Sequence, residues 1–244
     1  MLKWLVGGLL LSSICSHATD VQFDRKDKFQ GVFVESGKND GVRAYRAHFT
    51  HIIPASILDV RAGIVNFTEK CNNQHSKRRQ WINHDTHCAF PSESIIETRV
   101  ERNLKPHVPL QGETDHYILS RRGYNRGSYQ FQELVREFSQ RNGDVIEIRQ
   151  EMLSEHQASQ WLASAPLPFD HSYDHITTTY VLRKLSDSRT ELSYEQRAET
   201  THWLLNKEVI VPQVLAGLSR GAKEVWKSVE GHQQRSRQLA SQQN

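Results

Sequence analysis

The sequence predicts an α+β domain: an antiparallel sheet with one wet and one dry face, covered on the dry face by a single long C-terminal helix. Three observations carry that expectation. Several stretches alternate charged and apolar residues at period two, as half-buried strands do. The last of them, TTTYVLRKLSDSRTELSYEQRAETTHW, reads as two strands flanking the turn residues Ser186-Asp187-Ser188-Arg189. A proline-led apolar stripe at helical spacing then follows, in VPQVLAGLSRGAKEVW.

The elements follow in chain order. MLKWLVGGLLLSSICSHATD opens on Lys3, runs through an apolar core at Leu5 to Leu11, and ends in Ser16-His17-Ala18. That is the pattern of a secretory signal, with cleavage expected after Ala18. The apolar run is shorter than the roughly 20 residues a bilayer span needs. Cys15 is not read as a lipidation site, because Ile14 precedes it where a small residue is expected. Removing residues 1–18 takes away one Lys and lowers the net charge from +3 to +2. Such a balance gives no electrostatic reason to expect a nucleic-acid partner. No later stretch is apolar enough to span a membrane, and mean hydropathy is -0.64. The remaining residues suffice for one substantial core, so the expected layout is a signal at 1–18, one domain over 19–231 and a disordered tail over 232–244.

VRAYRAHFTHII (42–53) reads as a strand with Tyr45, Ala47, Phe49 and Ile53 on one face. Pro54 is expected to open a short helix whose stripe is Ile57, Val60, Ile64, Val65 and Phe67. ESIIETRVERNL (93–104) and GDVIEIRQEML (143–153) alternate like strands; in the second, Ile146, Ile148 and Met152 oppose Glu147, Arg149 and Glu151. Residues 105–128 read as an irregular stretch. SYQFQELVREFSQRNG fits a helix and partly fits a strand, and periodicity does not choose. WLASAPLPFDHSYDH (161–175) reads as a loop. In the closing hairpin, Leu192, Tyr194, Gln196, Ala198, Thr200 and His202 share the dry face, and Glu191, Glu195, Arg197 and Glu199 the wet one.

The final stripe comprises Val214, Leu215, Leu218, Ala222, Val225, Trp226 and Val229, predicting a helix near 212–230. Two glycines, Gly217 and Gly221, sit in it, each costing about 1 kcal/mol relative to alanine. Missing side chains there permit close approach to the sheet or leave room above it; their position beside the stripe favours close approach.

Three regions resemble the START-like (SRPBCC) superfamily. GVFVESGKNDGVRAYRAHFTHIIPASILDVRAGIV looks like its opening strands and short helix. Trp81, in RRQWI, stands where members often carry a tryptophan. HITTTYVLRKLSDSRTELSYEQRAETTHWLLNKEVIVPQVLAGL looks like its closing hairpin and proline-led helix. The resemblance implies the helix-grip fold: a curved antiparallel sheet wrapped around a long C-terminal helix, with short helices after the first strands. It also implies a groove between sheet and helix that holds a lipid, sterol, polyketide or similar molecule. Some members cyclise or hydrolyse their ligand, and others are filled and bind proteins.

The candidate ligand-binding residues are those polar on the expected inward face, Arg102, Gln150, Gln196, Thr200 and His202, with Leu215 and Leu218 from the helix. Unpartnered and buried, each polar group would cost about 1–3 kcal/mol. Either they satisfy one another, or they line a wet cavity and orient a ligand. His202 reads as a hydrogen-bonded sheet histidine rather than an acid or base. Cys71 and Cys88, an isolated pair in an exported chain, are expected to form a disulfide contributing about 3 kcal/mol. His84-Asp85-Thr86-His87-Cys88 and the pair His171 and His175 hold metal-ligand types, but 13 histidines produce such groupings by chance, and neither is read as a metal site. The spacing Gly-x-Ser-x-Gly occurs at Gly217-Leu218-Ser219-Arg220-Gly221, but inside the expected helix rather than at a strand-to-helix turn, so it is not read as a nucleophile elbow, and there is no phosphate-cradling glycine loop. The expectation is an exported, periplasmic module that binds a hydrophobic or amphipathic small molecule, with no cofactor and no catalytic machinery. The alternatives are a filled module binding a protein or envelope component, or a cyclase- or hydrolase-like enzyme.

Overall fold

Period-two alternation in the sequence becomes strand after strand in the structure. The computed structural model describes residues 21–29, 31–65, 87–89, 95–101, 114–123, 130–154 and 173–242. The strands are β1 (Arg25–Phe29), β2 (Val32–Asn39), β3 (Val42–Ile53), β4 (His87–Ala89), β5 (Ile95–Glu101), β6 (Thr114–Gly123), β7 (Gln130–Asn142), β8 (Val145–Met152), β9 (His175–Ser186) and β10 (Arg189–Thr200). They form one antiparallel sheet in the order β1-β2-β3-β10-β9-β8-β7-β6-β5-β4. Helix α1 (Ile57–Val65) follows β3, and helix α2 (Val211–Gln242) closes the described chain.

Local chemistry sets the boundaries. β2 and β3 turn at Asp40-Gly41, where both residues have positive φ, 47° and 82°. That is the geometry of the two-residue hairpin turn for which Asp-Gly is preferred. The segment with two periodicities, 130–142, is strand β7, because pairing with β6 on one side and β8 on the other overrides its helical pattern. Residues 114–123, read as irregular, are strand β6, paired along its length with β7. Pro54 does not open α1. It stands in a bend, and Ser56 caps the helix: its Oγ accepts from the Asp59 N–H (3.2 Å) and donates to the Asp59 carboxylate (2.7 Å).

Side chains divide by face as the alternation requires. Tyr45, Ala47, Phe49 and Ile53 of β3, Ile146, Ile148 and Met152 of β8, and Leu192, Tyr194 and Ala198 of β10 are all buried. Fully burying an aliphatic or aromatic side chain contributes about 1.5–3 kcal/mol, so this face is the main source of stability. The outer face is not uniformly wet. The segment at Val21–Phe23 crosses it, with the Gln22 carbonyl against Gly37 and Phe23 under the guanidinium groups of Arg46 and Arg197. Glu199, expected in water, is buried there and bonded to Arg197.

Helix α2 packs against β2, β3 and β10, and against α1. It is longer than the expected 212–230 and continues to Gln242, through residues read as a disordered tail. The reason is compositional: Gln, Arg, Leu and Ala in this stretch are good helix formers, even without an apolar stripe. Among the described residues no helix is long and apolar enough to cross a membrane. The expected signal, Cys71, Trp81, Arg102, His84, Asp85, His171 and most of the 161–175 loop lie outside the described residues. Cys88 falls on β4, opposite Thr98; its expected bridge to Cys71 involves a residue outside them.

Candidate functional site

The helix and the sheet do not stay in contact everywhere. Between the first half of α2 and strands β7 to β10 lies a cavity of about 500 Å³. Among the described residues, the sheet side is lined by Val135, Gln150, Met152, Ile176, Thr178, Gln196 and Ala198, with Tyr173 just before β9. The helix side is lined by Val214, Gly217, Leu218, Arg220 and Gly221.

Strand register explains the floor. Glu137, Gln150, Thr178 and Gln196 are successive cross-strand partners on β7, β8, β9 and β10, and so form a polar line across the sheet. Directly paired residues lie about 4.5–5.5 Å apart at Cβ, close enough for such side chains to bond. Apolar residues flank the line on both sides. Ile148, Tyr180, Tyr194 and Phe49 run along one side, and Ile176, Ala198 and Tyr45 along the other. Gln150 Nε2 donates to the buried Glu137 carboxylate, and the Tyr194 hydroxyl donates to Gln196 Oε1 at 3.2 Å. A carboxylate only accepts, so Gln150 turns its amide nitrogen to Glu137 and keeps its oxygen as an acceptor. Gln196 keeps its NH₂ as a donor. The floor therefore offers both hydrogen-bond polarities without a charge of its own facing the cavity.

Burial pushes the phenols of Tyr180 and Tyr194 well above the ordinary tyrosine value, because the phenolate would lose its hydration. They stay neutral at any physiological pH. No Asp, Glu, His, Cys or Lys stands among the described lining residues. The arrangement can hold and orient a molecule with a large apolar surface and a few polar groups.

The candidate residues distribute unevenly. Gln150, Gln196 and Leu218 line the cavity. Leu215 does not; it is fully buried, in the same core cluster as Val211, Ala222 and Val229. Thr200 is fully buried at the end of β10, where its Oγ1 accepts from the His202 N–H (3.0 Å). His202 lies past the end of that strand, so the period-two alternation that put it on the dry face no longer applies. Its Nδ1 accepts from the Leu204 N–H at 3.3 Å, a contact local to the turn. His175 is on β9 and bonds to the Thr177 hydroxyl at 2.7 Å.

Gly217 and Gly221 do not permit close approach, contrary to the expectation. A Cβ built at Gly221 would meet nothing within 4 Å, and one at Gly217 only Arg220 Nη2, at 4.0 Å. They leave room instead. The close approach belongs to Gly63 of α1, where a Cβ would stand 2.8 Å from Val229 Cα. Thr178 escaped the sequence reading, although TTTYVL alternates and puts Ile176, Thr178, Tyr180 and Leu182 on one face. Arg220 carried no signal separating it from any solvated arginine on a helix.

No family model matches the chain, and no curated protein matches it in sequence. Solved structures do match in shape. Human StAR-related lipid transfer protein 5 aligns over 88% of this chain and 89% of its own, at 11% identity and TM-score 0.52. Human STARD10 aligns over 89% and 77%, also at 11% identity and TM-score 0.52. The fold is START-like. A STAR-related lipid transfer protein fragment from Xanthomonas axonopodis aligns over 85% of this chain and 97% of its own, at 14% identity and TM-score 0.47. Within the START-like frame, α2 is the helix gripped by the sheet, and the cavity is the space between them.

Proposed function

We propose that this protein is an exported START-like module that binds a hydrophobic or amphipathic, lipid-like small molecule in the cavity between β7–β10 and α2. One observation carries the reading: the cavity of about 500 Å³ falls within the 300–1,000 Å³ typical of small-molecule sites, with apolar walls around a bonded polar floor. The name of human StAR-related lipid transfer protein 5, which shares the fold, is in keeping with it. The described lining, with amides, a hydroxyl and apolar side chains but no Asp, Glu, His, Cys or Lys, favours binding over catalysis. Export rests on the pattern of residues 1–18.

Native mass spectrometry of the protein isolated from its own cells tests the reading. A bound mass that organic extraction releases is expected. Leu218→Trp, which places a larger side chain in the cavity, should lose that mass while keeping its circular dichroism spectrum. An empty protein that also takes up no apolar dye would refute the proposal.

A further inference from the structure

Arg220 is the one charged residue among the described residues lining the cavity. It is exposed at the rim of α2, and its guanidinium folds back over the preceding turn, with Nη2 4.0 Å from where a Gly217 Cβ would be. Helical side chains lean toward the N-terminus in this way. The glycines at 217 and 221, on one face of the helix, leave a gap in its surface beside Arg220. Nearby carboxylates are engaged elsewhere: Glu224, one turn on, bonds Lys227 at 2.7 Å, and Glu137 bonds Gln150 across the floor. No carboxylate partner of Arg220 is present among the described residues. Among the described lining residues, the cavity thus has amide and hydroxyl groups on its floor, apolar walls and one cation, Arg220, at its mouth.

Resting on the cavity reading, we propose that the ligand is a monocarboxylate amphiphile whose carboxylate sits on Arg220, with its body running inward past Leu218. The planar guanidinium fork matches a carboxylate with two parallel hydrogen bonds. A phosphate monoester, carrying close to two charges, would call for further cations or backbone N–H groups, and the described rim supplies none. Size sets the second constraint. At the packing density of protein interiors, a space of about 500 Å³ holds roughly 370 Å³ of atoms, enough for one acyl chain or a compact ring system. The gap at Gly217 and Gly221 is where the head would pass the helix.

The test is displacement of an apolar dye from the full chain by laurate, dodecanol and dodecyl phosphate. Laurate is expected to bind at least about tenfold more tightly than dodecanol, the strength of one charge-assisted contact. Arg220→Gln should erase that preference, and Arg220→Lys should retain part of it. A readout needing no variant is ionic strength: laurate affinity of the unaltered protein should fall as salt rises, and dodecanol affinity should not. Equal affinity for laurate and dodecanol, with no effect of Arg220→Gln, would overturn the headgroup assignment and leave the cavity reading standing. Tighter binding of dodecyl phosphate than laurate would overturn the carboxylate. Failure of all three to displace the dye would overturn the inference, and dye that itself fails to bind would overturn the cavity reading beneath it.

Discussion

Gly63 and Gly221 are both helical glycines near the space between sheet and α2, and their surroundings are opposite. At Gly63 a single added carbon would stand 2.8 Å from the Val229 backbone and 3.4 Å from His232 Cβ. At Gly221 it would meet open space. The same residue type marks a tight contact of α2 in one place and open space beside it in the other. The middle of the helix is clamped: Val229 is fully buried against α1, and the Trp226 ring lies 3.8 Å from His51 and 5.9 Å from Phe49. The turns from Val214 to Gly221 border the cavity. A glycine in an apolar stripe therefore says only that a side chain is missing, and the partner surface decides whether the space is closed or kept.

The largest effect that would break this contrast is at the core position the cavity does not share. Leu215→Ala should destabilise by about 2–5 kcal/mol, read by urea denaturation, because Leu215 is fully buried. A change below 1 kcal/mol would mean that the cavity extends to it. Next comes Gly63→Ala. Overpacking against backbone costs about 1–3 kcal/mol, offset by up to about 1 from helix propensity, so a lowered melting temperature is expected. Stabilisation would remove the clamp from the picture.

A pH experiment sharpens the same comparison at the β3 end. Burial, reinforced by Glu208 and opposed by Arg43, raises the Tyr45 phenol to about 12. Its hydroxyl donates to the Leu205 carbonyl at 2.5 Å. An acid with a raised folded-state pKa favours folding fully below the unfolded value near 10 and loses that contribution as pH climbs toward 12. Stability should fall between pH 10 and 12 by less in Tyr45→Phe than in the unaltered protein, followed by chemical denaturation across that range. Identical slopes would show that the phenol ionises freely. The smallest effect is Gly221→Ala, expected to stabilise by up to about 1 kcal/mol through helix propensity alone. A loss of stability there would place something against the glycine that the open space does not contain.

The sequence was legible where periodicity had a dry face to report. Strands β3, β8 and β10 and the stripe of α2 follow directly from alternation, and the closing hairpin turns where Ser186 to Arg189 suggested. Strands β6 and β7 were not legible, because pairing partners far along the chain decide between strand and helix there. The site divides the same way. Gln150 and Gln196 could be placed on the inward face from period two alone. That they share a line with Thr178 and Glu137 depends on the register of four strands, which no local pattern encodes. His202 was misplaced because alternation was carried two residues beyond the end of β10. The Asp40-Gly41 turn, by contrast, was a local signal in plain sight.

The order of strands has a temporal consequence. β10 lies between β3 and β9, and it alone bridges the opening meander β1–β3 to the rest of the sheet. Pairs such as Ile53 with Thr190 and Arg43 with Thr200 join residues from opposite ends of the chain. Contacts so distant in sequence slow folding, since the loop must close before the contact rewards it. Until the last quarter of the chain has been synthesised, the two meanders have no shared edge.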